Sequence, residues 1–217
     1  MQATISVVFD LDGTLLNGDS TAAWMIGRIR RSWWRTLLAV MVWPAATLLM
    51  ARSRRLGASA FLWIASVGQD ERTLRASFRA FAAQVRAGDG ATAWRAAGVQ
   101  VLRDHISRGE RVVVATGAPA WLAEVLFERL GLQIEIVGSV LSPFWGGWIG
   151  SRHCRHHAKC EALAEAGHGH WWSIAYSDSA DDWPLLARAD RPRLVNGSQA
   201  TIARLVKIGI PAEPTCW

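Results

Sequence analysis

The decapeptide Val7-Val8-Phe9-Asp10-Leu11-Asp12-Gly13-Thr14-Leu15-Leu16 constrains this chain more than any other segment. Ile5 to Phe9 is a short apolar, β-branched run, the pattern of a strand buried on both faces. It ends abruptly in two carboxylates, Asp10 and Asp12, followed by a Gly-Thr turn. In extended backbone the i, i+2 spacing points both carboxylates to one side of the strand end. Like charges held that close resist joint ionisation unless a cation lies between them. In an open α/β sheet, ligands collect just beyond the carboxyl ends of the strands. The segment is therefore either an ordinary Asp-Gly turn or a metal-dependent carboxylate site at a sheet edge.

Three later segments favour the site. Arg111 to Ala115 is a second buried-strand run, ending in Thr116-Gly117-Ala118-Pro119. A hydroxyl and free backbone amides at a strand end, ahead of a helix, suit an anion such as phosphate. Lys159 opens a helical stretch, Cys160 to Ala166, and can supply a point charge to the same anion. Ser173 to Tyr176 is a third strand, followed by Ser177-Asp178-Ser179-Ala180-Asp181-Asp182-Trp183-Pro184. Carboxylates, a hydroxyl and a lysine at successive strand ends make one pocket for a hard cation and a phosphate.

In order, FDLDGTLL, VVVATGAP, Lys159 and YSDSADDWPLL resemble the four motifs of the haloacid dehalogenase superfamily of phosphohydrolases. The segment between the first two motifs is similar to the helical cap of the phosphoserine-phosphatase-like branch, subfamily IB. The apolar Arg-rich insertion, the Gly146-Gly147-Trp148 turn and the Arg152-to-Lys159 stretch resemble phosphatidylglycerophosphatase C more closely still. The resemblance implies an α/β fold, a Rossmann-like parallel sheet with a helical cap inserted after the first strand. Residues 1–18 and 91–217 would form the core, and 19–90 an Arg- and Trp-rich cap.

The resemblance also implies roles. Asp10 is the expected nucleophile, forming an aspartyl-phosphate, and Asp12 the expected general acid and base. Mg²⁺ is expected on Asp10, the backbone carbonyl of Asp12, and Asp178. Thr116, the Gly117 amide and Lys159 are expected around the phosphate oxygens, where catalysis of phosphoryl transfer mostly lies. Asp182 is expected to support the metal water or Lys159. Asp181 is either part of the last motif or a solvated turn carboxylate.

A chain of 217 residues suits one core domain with a modest insertion. Three cysteines, Cys154, Cys160 and Cys216, give an odd count without a disulfide framework, which points to a reducing compartment. The first apolar run is too short for a signal peptide and leads straight into the carboxylates, so a cytoplasmic active site is expected.

The formal charge of +6 is concentrated in one window. Ser20 to Gln69 holds seven Arg and no Asp, Glu or Lys, together with five of the thirteen Trp. Thr36 to Ala51 is uncharged, flanked by Arg28, Arg30, Arg31 and Arg35 before it and Arg52, Arg54 and Arg55 after it. That stretch falls short of the ~20 residues a spanning helix wants, Pro44 interrupts it, and both flanks are positive. An apolar body with Trp and an Arg rim describes a helical hairpin lying in an anionic leaflet. The expected location is peripheral, on the cytoplasmic face of the inner membrane. The alternative is an ordinary cap packed on itself and on the core. Nucleic-acid binding is disfavoured, because interleaved Leu, Val and Met make a poor stacking surface.

Downstream, the pattern predicts an amphipathic helix over 70–87, a Gly88-Asp89-Gly90 break and a helix over 94–108. Strand 111–115, helix 119–130 and strand 134–137 then alternate as in a parallel sheet, with a hairpin over 140–150. Strand 193–195, a helix over 198–207 and a loose tail from Pro211 complete the expectation. Five of six histidines, His153, His156, His157, His168 and His170, cluster with Cys154 and Cys160. Their spacing matches no closed zinc pattern, and His156 or His157 is instead expected at the pocket mouth.

The reading that emerges is a Mg²⁺-dependent phosphomonoesterase acting on a phospholipid such as phosphatidylglycerophosphate. Its rivals are a soluble-metabolite phosphatase of the phosphoserine type and a non-catalytic membrane adaptor.

Overall fold

In chain order the strands are β1 (Ser6–Phe9), β2 (Leu16–Asn17), β3 (Ala93–Trp94), β4 (Arg111–Pro119), β5 (Glu135–Phe144), β6 (Gly147–Arg152), β7 (Trp172–Ser177), β8 (Ala189–Val195) and β9 (Glu213–Thr215). The helices are α1 (Ser20–Arg30), α2 (Trp33–Arg52), α3 (Arg54–Ser66), α4 (Glu71–Ala87), α5 (Ala96–Ser107), α6 (Ala120–Arg129), α7 (His157–Glu165), α8 (Trp183–Leu186) and α9 (Gln199–Lys207). This computed structural model describes residues 6–52, 54–88 and 92–217, the side chains of 48–56 excepted. Ile5, Asp89 and Gly90, and the side chains of Arg52, Arg54 and Arg55, thus lie outside the described residues.

Seven strands form one sheet in the order β6-β5-β4-β1-β7-β8-β9. All neighbours in it run parallel except β5 and β6. The fold is therefore the α/β, Rossmann-like parallel sheet expected from the sequence. Strand β1 is central because its side chains are apolar on both faces. Val7 and Phe9 pack with Leu102 of α5 and Leu122 and Leu126 of α6, whereas Val8 packs with Cys160 and Leu163 of α7 and Leu205 of α9. The alternation along β1 thus supplies both cores. It also aims the carboxyl ends of β1, β4 and β7 at one edge of the sheet.

Helices α1 to α4 fill the segment between β2 and β3, two strands that pair antiparallel through Leu16–Trp94 and Asn17–Ala93. Asp19 caps α1 by accepting from the Ala22 N–H at 2.8 Å, and Asp70 caps α4 by accepting from the Thr73 N–H at 2.8 Å. α2 packs on α3, α3 on β6, and α4 on α6. Ser66 and Trp148 tie α3 to the hairpin, with Trp148 N–H donating to Ser66 Oγ at 2.9 Å and Trp148 Nε1 to the Gln69 carbonyl at 2.9 Å.

Four local expectations need correction. Pro44 does not interrupt the apolar stretch, because α2 runs continuously through it. The missing N–H costs one helical bond, which packing along α3 offsets. Trp94 is not helical but pairs in β3, and α5 begins at Ala96. Strand 134–137 and the hairpin's first arm are one strand, β5. The tail from Pro211 is not loose: β9 pairs with β8, and Trp217 packs beside Phe9 and Tyr176.

Helix α2 presents Trp33, Leu37, Val40 and Met41 to solvent, at 79%, 54%, 65% and 70% exposure. Their spacing of i, i+4, i+7, i+8 puts them along one face. Among the described residues no helix is long and apolar enough to cross a membrane.

Candidate active site

β1 ends at Phe9, and the next residue, Asp10, is held by its N–H donating to the Tyr176 carbonyl at 2.9 Å. Its carboxylate is 6% exposed. Lys159, at the start of α7 and 2% exposed, reaches both Asp10 Oδ1 and Asp182 Oδ2 at 2.7 Å. Asp182 is fixed in turn by the Ser177 hydroxyl, which donates to Oδ2 at 2.8 Å. The ends of β1 and β7 and the first turn of α7 thus meet in one buried ion-paired cluster.

Asp178 joins it through Thr14. The Thr14 hydroxyl lies 3.2 Å from Asp10 Oδ2 and 3.2 Å from Asp178 Oδ1, and accepts from the Asp178 N–H at 3.0 Å. Gly13 makes this approach possible. Its φ is +82°, and a Cβ there would sit 2.2 Å from Asp178 Oδ2. Asp12 stands on the other side of the turn, where Oδ1 accepts from the Ser20 N–H at 2.9 Å at the start of α1.

Burial sets the electrostatics. It raises the Asp10 carboxyl, and the nearby Lys159 ammonium pulls it partly back. Burial and the Asp19 charge lift Asp12 from its ordinary 3.8 to about 6. Asp178 is also raised by burial. Burial alone would lower Lys159, but Asp10 and Asp182 outweigh it and hold the ammonium charged.

These groups line a cavity of about 500 Å³ with Gly117, Arg155 and His156 on its rim. The structure therefore brings together six of the residues singled out from the sequence: Asp10, Asp12, Gly117, Lys159, Asp178 and Asp182. Thr116 is placed differently. It is fully buried behind Gly117, with its hydroxyl accepting from the Ala118 N–H at 3.0 Å. Asp181 lines the cavity and forms an ion pair with Arg204 at 3.0 Å.

Of the histidines, only His156 faces this cavity. Its Nδ1 donates to the Asp181 carbonyl at 2.9 Å, and its φ of +52° with ψ of −130° is strained for a side-chain-bearing residue. His168 lies elsewhere, 2.9 Å from Glu135.

Sequence reasoning passed over Thr14 and Arg155. Thr14 stood in the motif itself, but nothing in one dimension shows which distant carboxylate it bridges. Arg155 lies against Gly117, where a Cβ would meet its Nε at 2.7 Å. Its only sequence signal was proximity to Lys159.

The donor set fits a hard divalent cation. Six carboxylates line the cavity against three cationic side chains, a balance that would repel a phosphate dianion without a further positive charge. No three His, Cys, Asp or Glu side chains converge on one point among the described residues. A cation on Asp10 and Asp178 would therefore complete its shell with backbone carbonyl, water and phosphate oxygens, the arrangement Mg²⁺ favours.

Comparison with known proteins identifies the family and the fold. The profile of haloacid dehalogenase-like hydrolases matches residues 7–187. Protein CicA of Caulobacter vibrioides (strain NA1000 / CB15N) is 29% identical over 205 residues, covering 89% of this chain and 88% of its own. A crystal structure of a protein with unknown function from Bordetella pertussis Tohama I shares the fold with a TM-score of 0.73 at 20% identity, covering 98% of both chains. A phospho-aspartyl intermediate analogue of phosphoserine phosphatase superposes with a TM-score of 0.60 at 15% identity, over 99% of this chain and 93% of that one.

Proposed function

Because this chain belongs to the haloacid dehalogenase-like hydrolase family, we propose that it hydrolyses phosphomonoesters through an aspartyl-phosphate on Asp10. The observation that carries the reading is the buried Asp10–Lys159–Asp182 cluster with Asp12 poised across the same cavity.

The Asp10 carboxylate attacks phosphorus, and the bond to the ester oxygen breaks as the new one forms. Asp12 gives its proton to the departing alkoxide. It then takes a proton from the water that cleaves the aspartyl-phosphate, restoring Asp10 and releasing phosphate. A carboxyl near 6 serves both halves of that exchange close to neutrality. Lys159 and the Gly117 amide face the phosphate oxygens, where negative charge must be met. Thr116 supports that loop from behind. Asp10, the Asp12 carbonyl and Asp178 would hold Mg²⁺, which supplies Lewis-acid neutralisation of the phosphate. Asp182 keeps Lys159 charged and in place.

For the substrate we favour a phospholipid monoester, phosphatidylglycerophosphate first, in line with the subfamily IB and phosphatidylglycerophosphatase C resemblance. Residues 19–90 would act as cap over a core of 1–18 and 91–217. The exposed Trp33–Met41 face and the acid-free, arginine-only charge of Ser20 to Gln69 suit the surface of an anionic leaflet. On this reading the enzyme works peripherally on the cytoplasmic face of the inner membrane. The second reading is a soluble-metabolite phosphatase, favoured by the phosphoserine phosphatase likeness.

The test is Mg²⁺-dependent phosphate release from phosphatidylglycerophosphate in mixed micelles, beside phosphoserine, with Asp10→Asn as blank. Preference for the lipid supports the first reading, and preference for phosphoserine the second. Parent-level activity in Asp10→Asn would sink the nucleophile assignment.

A further inference from the structure

Beside the catalytic cavity lies a second, smaller one of about 140 Å³. The two share Asp19, Gly117 and Arg155, so the second opens directly off the catalytic cavity. Its walls come from α1, α3 and the β4–β5–β6 part of the sheet. Ala22, Met25, Ala58, Leu62, Pro119 and Leu141 make most of that wall apolar. Asp19, Thr21, Ser59, Ser139, His153 and Arg155 supply its polar part.

Resting on the phosphomonoesterase reading above, we propose that this cavity is the leaving-group subsite, and that it takes an uncharged, largely hydrocarbon segment carried directly on the ester oxygen. An apolar cavity of about 150 Å³ holds one benzene-sized group. The subsite thus fills with roughly six carbons. Arg155, lying across Gly117 at the junction, stands between the phosphate and the hydrocarbon. The chemical class follows. Alcohols with uncharged carbon next to the ester are accepted. Serine gains less, because its ammonium and carboxylate can meet only the charged groups at the junction, Asp19 and Arg155, and leave the apolar surface unfilled.

The test is a ladder of n-alkyl phosphates from methyl to octyl, with phosphoserine beside them, on the Mg²⁺-loaded full chain. Transfer of each methylene from water predicts a rise in kcat/KM of about fourfold per carbon, levelling near six carbons. In Ser59→Phe on α3 and in Ala22→Leu on α1, which fill the cavity from opposite walls, the hexyl-to-methyl ratio should fall at least tenfold. A flat ladder in the wild type, or a ratio unchanged in both variants, overturns the subsite. If no phosphate ester is turned over, the catalytic reading fails separately. Calorimetric affinities of hexylphosphonate and methylphosphonate then decide the subsite without turnover, equal affinities overturning it. Folding of each variant is checked by its thermal transition, and two variants from different helices guard against one that collapses.

Discussion

Replacing Lys159 with Met should unfold this protein more readily than any comparable change on its surface. The ammonium is 2% exposed and sits 2.7 Å from both Asp10 Oδ1 and Asp182 Oδ2. Methionine keeps most of the stem's volume, so the cavity contribution is small. What is lost is, among the described residues, the one cation paired with both buried carboxylates, and breaking a buried pair by removing one partner costs about 3–5 kcal/mol. For a chain of this size each kcal/mol moves Tm by roughly 2–4 °C, so a fall of roughly 6–20 °C is expected.

The sign with pH is set by the carboxylates. Burial raises Asp10, and without the Lys159 ammonium that pulls it partly back the folded state binds a proton there still more readily than the unfolded chain. The penalty is therefore full near pH 8 and shrinks as pH falls toward 5. Asp182→Asn in the same chain should return part of the loss, since Ser177 can still donate to the amide oxygen. The assay is chemical denaturation in chelator, at pH 5, 6.5 and 8, of wild type, single and double variants. A single variant within about 1 kcal/mol of wild type at pH 8, or a gap that does not narrow with acid, would refute the argument that Lys159 neutralises a buried pair.

Three further outcomes follow from the same geometry. Asp12 rises from 3.8 to about 6 in the fold, so its ionised form is destabilising above pH 6 and neutral in effect below 3.8. Asp12→Asn should thus abolish turnover yet stabilise the metal-free protein by roughly 3 kcal/mol at pH 7.5, a gain that vanishes toward pH 4 in denaturation curves. Gly13→Ala should lose metal-dependent phosphate release and destabilise the fold, because its φ of +82° is strained for alanine and the new Cβ would strike Asp178; a variant with full activity would show that the turn relaxes freely. His156→Gly should raise the unfolding free energy by about 1 kcal/mol, as relief of a strained backbone exceeds loss of one exposed hydrogen bond. A decrease on urea titration would contradict that.

The central sheet was legible because β1, β4 and β7 are continuous apolar runs, and such runs have few places to go except between two helical layers. The site was legible for the same reason, since each run ends in polar residues that the parallel topology brings to one edge. What escaped depends on long-range contact. Pro44 is a helix breaker by local rules, yet α3 beside it carries α2 through. The tail from Pro211 has no strand pattern of its own and becomes β9 only because β8 offers an open edge. Arg155 could not be distinguished from its neighbouring Arg152, which the fold turns away to an ion pair with Glu165 at 2.6 Å. The small cavity between α1, α3 and the sheet has no linear signature, because its walls come from five elements far apart in sequence.

The β2–β3 ladder has a consequence for how such enzymes diversify. Leu16–Trp94 and Asn17–Ala93 hold the entry and exit of the four-helix segment side by side, about 5 Å apart across a strand pair. The segment between them enters and leaves through a two-stranded clasp outside the main sheet, and rests on the core through α3 on β6 and α4 on α6. Helices can be lengthened, traded or made greasier beyond that clasp while Asp10, Lys159 and Asp178 keep their positions. On the proposed reading, the reaction and the choice of what reacts are thereby free to change at different rates.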